Sequence, residues 1–551
     1  MARHEAPARP PARTRGGGGV VCSGLAYAHP GGDLLFTDVS FTIAAGAHVG
    51  VVGVNGVGKS TLFRIMAGEL EPDDGRVAVS GRLAYMPQAV GAEAATVREM
   101  LVAFAPRALR TAGERMAAAE LALAGGDHGA GVDLGAAIAD WSEHGGYELE
   151  AQWDRAARRI VRSSFEEIAE RPAATLSGGE RKTLALEVLF ESDADVLLLD
   201  EPDNFLDVRG KQELERRIAA SPKTVLVISH DRDLLTAATS AILTLEGEGC
   251  WLHGGSYATY PEAREARQQR LGDAVKRWHE EERRLYRLVK TFKERARYAP
   301  DWAKKANAAE SRWRRFAAPG PPPKPVSDQR IGVRMRGGDS ARRVLVLEDV
   351  AIDGLIRPFS DEIHFGERVG VIGPNGSGKT HLMRLLAGEA SPSAGRVTTG
   401  PRVSTGYFTQ LNARDDLRGA ETILDTVVER VNGDVERAMG ALARYRLADA
   451  ARRDYDTMSG GQKARLEILC LELEGHNLLL LDEPTDNLDI DSAEALESAL
   501  DGFEGTVVAV THDRTFLKRL DRYVLVPHSG DIRQLPDHRS ALEALTGSPE
   551  R

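Results

Sequence analysis

The chain has 551 residues, 42% hydrophobic and 28% charged, which is too long for one core and ordinary for a globular protein of roughly three or four structural units. Its formal net charge of −11 excludes a uniformly basic nucleic-acid coat, and Cys22, Cys250 and Cys470, far apart and without metal spacing, fit a reducing cytoplasm. No stretch reaches the roughly 18–20 apolar residues needed to cross a bilayer, which excludes a membrane-spanning helix.

The opening MARHEAPARPPARTRGGGG has no apolar core segment and reads as a disordered tail over 1–19, not a secretory signal. The run HVGVVG then predicts a strand leading into GVNGVGKS, with Gly53, Gly58, Lys59 and Ser60 in the spacing of a phosphate-binding loop. Glycines let backbone N–H groups close around phosphate, the following helix N-terminus favours the anion, Lys59 reaches the terminal phosphates and Ser60 offers a hydroxyl to Mg²⁺. YMPQ follows, ending at Gln88. A stretch at about 100–170, rich in Ala, Glu and Arg, predicts helices with a glycine-rich break at 125–135. LSGGE begins a further helix at Ser177.

VLLLDEPDNFLD (196–207) reads as a buried strand that delivers Asp200 to the sheet edge beside the phosphates, where it can hold the Mg²⁺ shell. Glu201 comes next, expected to point away from its neighbour by strand alternation, and can orient and polarise an attacking water. His230 ends the apolar run TVLVISHD and fits a γ-phosphate contact.

Residues 262–297 predict a helix of about 54 Å at 1.5 Å per residue. Leu271, Val275, Trp278, Leu285, Val289 and Phe292 share a seam in which Glu282 is the polar position. YAPD interrupts it, and 302–317 resumes with Trp302, Ala306, Ala309, Trp313 and Phe316, which predicts an antiparallel hairpin with unequal arms. Over 261–330 there are 19 Lys and Arg against 10 Asp and Glu, so this segment carries +9 and the rest of the chain −20. Lys290, Lys293, Arg295, Arg297, Lys304 and Lys305 surround the expected tip. Such a segment can be a solvated spacer held by side-chain ion pairs, or a probe for a phosphate backbone. The run PGPPPKP (319–325) then forms a stiff extended link.

The second half repeats the first. GPNGSGKT begins at Gly373, 320 residues after Gly53, and supplies Gly378, Lys379 and Thr380; YFTQ ends at Gln410, 322 after Gln88. MSGGQ (Ser459), LLLLDEPTDNLD (Asp482, Glu483) and TVVAVTHD (His512) all lie 282 after their counterparts. The two halves therefore share one scaffold, an α/β domain with a largely parallel sheet, and the first carries about forty extra residues between Gln88 and Ser177.

These motifs, in this order and in both halves, resemble the ATP-binding cassette superfamily. The resemblance implies two P-loop cassettes in tandem, over 20–255 (with a helical arm at about 100–170) and 340–545, joined by a basic helical hairpin linker over 256–327. It further implies that the cassettes pair head to tail within a monomer. The signature residues Ser177, Gly178 and Gly179 would close over ATP held by Gly373, Asn375, Gly376, Gly378, Lys379 and Thr380. Ser459, Gly460 and Gly461 would close over ATP held by Gly53, Asn55, Gly56, Gly58, Lys59, Ser60 and Thr61. Asp207 and Asp489 complete the sites, Gln88 and Gln410 join Ser60, Thr380, Asp200 and Asp482 around Mg²⁺, and Glu201, Glu483, His230 and His512 carry catalysis. Tyr27 is either the ring that stacks on adenine or an ordinary edge-strand tyrosine; the second half has no aromatic residue before Phe359 in the matching stretch. Two cassettes, a charged helical linker and no membrane segment are similar to the ABC-F branch. Many of its members read DEPTNHLD where this chain has Asp203-Asn204-Phe205 and Thr485-Asp486-Asn487. That branch implies a cytoplasmic ATPase that binds the ribosome, both rRNA and tRNA, in its ATP-closed state through the linker, as a translation factor or an antibiotic-resistance protein. The alternative is the ATPase subunit of an exporter with a separate permease, against which the basic linker counts.

Overall fold

The computed structural model describes residues 18–32, 34–91, 94–247, 249–326, 331–335, 337–409, 417 and 422–547. The expected tail therefore lies almost wholly outside the described residues, as does Gln410.

The first cassette runs β1 (Val20–Ala28), β2 (Leu34–Ile43), β3 (His48–Val52), α1 (Lys59–Met66), β4 (Asp74–Val79) and β5 (Leu83–Met86). Helices α2 (Val97–Val102), α3 (Arg107–Ala124), α4 (Ala130–Glu143), α5 (Gly146–Ile160), α6 (Phe165–Ile168) and α7 (Gly178–Glu191) follow. Then come β6 (Val196–Asp200), α8 (Val208–Ala220), β7 (Thr224–Ile228), α9 (Arg232–Ala238), β8 (Ala241–Glu246) and β9 (Gly249–His253). The strands form one sheet in the order β4-β1-β2-β9-β8-β3-β7-β6-β5. Its central members β8, β3, β7, β6 and β5 are parallel. Every residue of β6 and β7 is buried, which is why VLLLD and TVLVI are unbroken apolar runs and not alternating ones.

The second cassette repeats the plan with β10 (Arg343–Ile352), β11 (Ile356–His364), β12 (Arg368–Ile372), α12 (Lys379–Ala387), β13 (Ala394–Thr399) and β14 (Thr405–Phe408). Its helical part, α13 (Ile423–Arg430), α14 (Val435–Arg444) and α15 (Gly460–Glu474), leads to β15 (Leu478–Asp482), α16 (Ile490–Asp501), β16 (Thr506–Val510), α17 (Arg514–Leu517), β17 (Arg522–Leu525), β18 (Arg533–Leu535) and α18 (His538–Thr546). The parallel core β14-β15-β16-β12-β17 matches that of the first cassette. α/β architecture with two tandem cassettes is thus the fold.

The extra residues of the first half are the hairpin α3–α4. The glycine-rich break is shorter than expected: the turn occupies 125–129, with Gly126 in left-handed backbone, and Gly131 and Gly135 are already inside α4. An aromatic stack anchors the hairpin. Trp141 of α4 and Trp153 of α5 are 6.0 Å apart between ring centroids, and Trp153 meets Phe165 edge-on at 5.3 Å. Trp153 is fully buried, so Trp153→Ala should cost about 3–5 kcal/mol locally through lost contacts and a residual cavity. The expected result is rapid cleavage within 107–143 under limited proteolysis, with ATP binding retained.

His253–Gln329 form a separate compact unit, built from α10 (Tyr260–Ala296) and α11 (Trp302–Ala317). The two helices pack antiparallel through aromatic pairs. Trp278 stacks on Phe316 at 5.6 Å, Tyr286 meets Trp313 at 5.6 Å and Phe292 meets Trp302 at 5.5 Å. Glu282, the polar position of the seam, accepts a hydrogen bond from Trp313 Nε1 at 2.9 Å, which explains why a carboxylate is tolerated there.

Candidate functional site

Each phosphate-binding loop joins a central strand to a helix, and Gly58 and Gly378 sit in left-handed backbone at φ 99° at the start of α1 and α12. Lys59 Nζ lies within its loop, donating to the carbonyls of Gly53 (2.7 Å) and Val54 (3.2 Å). Lys379 Nζ does the same with Gly373 and Pro374, both at 2.9 Å.

The fold brings these loops against the opposite cassette. Asn55, Gly56, Gly58, Lys59, Ser60 and Thr61 line one cleft with Gln88 and Glu201, and the far wall is Ser459, Gly460 and Gly461. Asn375, Gly376, Gly378, Lys379 and Thr380 line a second with Asp482, Glu483 and His512, walled by Ser177, Gly178 and Gly179. Hydrogen bonds cross each boundary: Asn55 Nδ2 donates to Asn487 O, and Asn375 Nδ2 to Phe205 O, both at 2.8 Å. The backbone N–H of Asn55 also donates to Asp489 Oδ2 at 3.3 Å. Asp207 takes the equivalent place at the start of α8, where it caps the helix through Gly210 N. A Cβ on Gly461 would fall 2.6 Å from Asn55 Nδ2 and 2.9 Å from Asn487 O, so the close approach requires glycine there.

Ser177 and Ser459 each close a capping box, with Glu180 and Gln462. That fixes the first turns of α7 and α15, whose N-terminal glycines wall the clefts, and helix N-termini favour anions.

The carboxylates after β6 and β15 depart from the alternation expected of a strand. The strands end at Asp200 and Asp482, and Glu201 and Glu483 take left-handed backbone at φ 47° and 51°. A tight turn, and not the pleat, sets their direction. Glu201 Oε2 accepts from Gln88 Nε2 at 2.5 Å and Asn204 Nδ2 at 2.6 Å, and His230 Nε2 lies 3.6 Å from Glu201 Oε1. Burial opposes ionisation there, yet His230, Gln88 and Lys59 together hold this carboxyl down at about 2. In the second cleft His512 Nε2 is 3.4 Å from Glu483 Oε1, and His512 N–H donates to Glu483 Oε2 at 3.0 Å. Burial and then the neighbouring Asp486 raise the Glu483 carboxyl, while burial and the Lys379 and Lys211 charges hold the His512 imidazole well below its ordinary range.

Asp486 occupies the position that Asn204 has in the first half. An amide donates to the neighbouring glutamate where a carboxylate repels it, so the clefts are chemically unequal. Asn204→Asp should reduce steady-state ATP turnover about tenfold, since a hydrogen bond to a charged group is worth about 1.5–3 kcal/mol; Asp486→Asn should raise it.

Asp200 and Asp482 are each 1% exposed. Asp200 Oδ1 and both Asp482 oxygens have no hydrogen-bond partner among the described residues. Burial pushes the Asp200 carboxyl up to about 6 against the pull of Ser60, and raises Asp482 against that of Thr380. Buried carboxylate oxygens without a hydrogen-bond partner are costly alone and suit a hard divalent cation; Asp200 keeps a 3.5 Å contact from the Tyr85 hydroxyl, on its other oxygen. Ser60 with Asp200, and Thr380 with Asp482, therefore fit Mg²⁺; Gln88 has its amide nitrogen on Glu201.

Tyr27 is placed differently from an adenine-stacking ring. It is 9% exposed, packed at 6.4 Å from Phe36 in the core, because its position in β1 faces inward. His29, in edge contact with Tyr27 at 5.9 Å, lines the first cleft with Leu35. In the second, Leu355 lies on the phosphate-loop side, and the 59% exposed Phe205, the counterpart of Asn487, lines the cleft from the opposite cassette. A histidine two residues past a strand tyrosine carried no signal of its own in the sequence; Phe205 stood out only as a departure from the usual motif.

Of the hairpin-tip cations, Lys293 is paired with Glu310 at 2.6 Å, and Arg295 and Lys305 lie over the Trp302 ring at 4.9 and 4.3 Å. Lys290, Arg297 and Lys304 are exposed.

Two such clefts, each built from one cassette's phosphate loop and the other's signature loop, define a tandem ATP-binding cassette ATPase. A family model described as ABC transporter matches residues 36–204 and 356–486. The chain is 41% identical over 543 residues to an "Antibiotic resistance protein" of Mycobacteroides abscessus, covering 94% of this chain and 98% of the relative. It is 32% identical to "Tylosin resistance ATP-binding protein TlrC" of Streptomyces fradiae (88% and 93%). With "Energy-dependent translational throttle protein EttA" of Escherichia coli it shares 33% (89% of each). The chain belongs to the ABC-F family of tandem cassette proteins. Among solved structures, the archaeal recycling factor aABCE1 in complex with stalk protein aP1 superposes with a TM-score of 0.59 at 19% identity, covering 96% of this chain and 94% of that one. "RNase-L Inhibitor" superposes at 0.56 with 20% identity, covering 91% and 89%; both likenesses concern the fold. No helix among the described residues is long and apolar enough to cross a membrane.

Proposed function

We propose that this chain is a cytoplasmic, monomeric ATPase that binds Mg²⁺–ATP in both clefts, engages the ribosome in the closed form and leaves after hydrolysis. The facing of each phosphate loop by the opposite signature loop carries this reading. ATP bridging the two walls would stabilise closure, and hydrolysis would remove the bridge.

Within a cleft, the loop N–H groups and Lys59 or Lys379 bind the phosphates, and the α7 or α15 N-terminus binds them from the other cassette. Ser60 and Asp200, or Thr380 and Asp482, would hold Mg²⁺, which would supply neutralisation of phosphate charge. Glu201 and Glu483 orient the attacking water and take its proton, and His230 and His512 steady those carboxylates beside the γ-phosphate. Glu201, which accepts hydrogen bonds from Gln88 and Asn204, is the more firmly oriented of the two carboxylates.

The hairpin supplies the ribosome contact. Its charge of +9 on an acidic chain, with exposed Lys290, Arg297 and Lys304 flanking the 91% exposed Tyr298, suits phosphate and stacking contacts with rRNA and tRNA. The α3–α4 arm differs, with three Arg against six Asp and Glu and with Leu121 and Val132 almost fully exposed, and suits a protein surface. Two relatives named for resistance favour protection of drug-inhibited ribosomes over tuning of ordinary translation. A cell-free translation assay tests this. With ATP, the protein should restore synthesis blocked by a ribosome-targeting macrolide; slowing of drug-free synthesis without any rescue would favour the throttle role.

A further inference from the structure

The boundary between the cassettes contains a second repeated element outside the clefts. Arg232 at the start of α9 forms a forked ion pair with Glu497 of α16, Nη1 donating to Oε2 at 3.2 Å and Nη2 to Oε1. Arg514 at the start of α17 pairs in the same way with Glu215 of α8, Nη1 to Oε2 at 3.3 Å and Nη2 to Oε1. Both arginines and both glutamates are 282 residues from their counterparts, the offset that relates the catalytic motifs. The pairs are also interlaced: Arg232 approaches Asp513 at 3.5 Å and Arg514 approaches Asp231 at 3.6 Å, so each arginine reaches the acid that caps the other's helix. The arginine side chains are 12% and 11% exposed, and Glu497 and Glu215 are 0% and 12%. Desolvated, bidentate pairs of this kind hold a fixed geometry, and loss of one partner is felt strongly.

Their placement relates them to the clefts. Asp489, which caps α16, accepts from the Asn55 N–H at the first cassette's phosphate loop. Eight residues further, about 12 Å along the same helix, Glu497 holds Arg232, two residues past His230. Helix α16 of the second cassette thus touches the first cleft at its phosphate loop and at its histidine loop. Helix α8 does the reverse: it begins just after Phe205, which accepts from Asn375, and holds Arg514 through Glu215, two residues past His512.

We infer that Arg232 and Arg514 are positioning residues, setting each histidine loop from the opposite cassette so that turnover in a cleft requires the helix braced across it. The inference rests on the reading that the clefts hydrolyse ATP. A purely structural brace would change stability without separating kcat from KM.

The test uses the full chain with Arg232→Gln, Glu497→Gln, the double variant and Arg232→Lys, comparing kcat, KM for ATP and melting temperature. Each Gln variant should lose at least about tenfold in kcat with KM within about twofold. The double variant should be no worse than the poorer single, as for two residues acting as one unit. Arg232→Lys, which keeps the charge without the fork, should fall between wild type and Arg232→Gln, and it carries the kcat test if Arg232→Gln melts below assay temperature. Wild-type kcat in both single variants, or losses that multiply independently, would overturn the inference. Absence of turnover in the wild-type protein would sink the hydrolytic reading itself, and this one with it.

Discussion

Glu201→Gln/Glu483→Gln should lower ATP turnover at least about a hundredfold while leaving ATP binding intact. General-base catalysis by a positioned carboxylate contributes about 10²–10⁴ in rate, and glutamine keeps the side chain's size and its hydrogen bonding to neighbours without accepting the water's proton. The singles should differ. Glu201 accepts hydrogen bonds from Gln88 and Asn204, lies 3.6 Å from His230 and is held ionised, whereas Glu483 is more deeply buried and faces Asp486. Glu201→Gln should therefore remove more of the total activity than Glu483→Gln. Steady-state phosphate release on the three variants decides the point; equal losses from the two singles would contradict the asymmetry drawn from Asn204 and Asp486.

The second large effect is expected at the hairpin. Lys290→Gln/Arg297→Gln/Lys304→Gln removes the exposed tip cations that have no ion-pair or ring partner among the described residues. Lys293, Arg295 and Lys305 are already engaged with Glu310 and Trp302. If the three meet phosphate, ribosome affinity should fall about tenfold to a hundredfold, and the slope of log affinity against log salt should flatten by about two to three. ATP turnover without ribosomes should not change. Unaltered binding with an unaltered salt slope would show that the hairpin is a spacer.

The fold was legible because its signals are local and repeated. VLLLD and TVLVI announce buried parallel strands, GVNGVGKS and GPNGSGKT announce strand-loop-helix junctions, and the antiparallel aromatic seam from Trp278 to Phe316 is readable from helical spacing. The site was legible in its membership and less so in its geometry. Alternation misplaced Glu201 and Glu483, because the backbone turns left-handed at the residue where the strand ends, and a rule for pleated strands says nothing there. Tyr27 attracted attention as an aromatic before the phosphate loop, yet the inward face of β1 buries it and leaves His29 at the cleft. Contacts such as Asn55 with Asn487 and Arg232 with Glu497 join residues hundreds apart in sequence and leave no periodic trace. The one visible sign of the arginine–glutamate pairs is the shared offset of 282, which extends beyond the motifs to Arg232, Arg514, Glu215 and Glu497.

The most direct measurement is co-sedimentation of the Glu201→Gln/Glu483→Gln protein with ribosomes through a sucrose cushion, under ATP and under ADP. A ribosome-binding ATPase closed by nucleotide should pellet with ribosomes in ATP, remain in the supernatant in ADP, and be released by high salt. A folded, ATP-bound double variant that stays in the supernatant under both nucleotides would contradict that account.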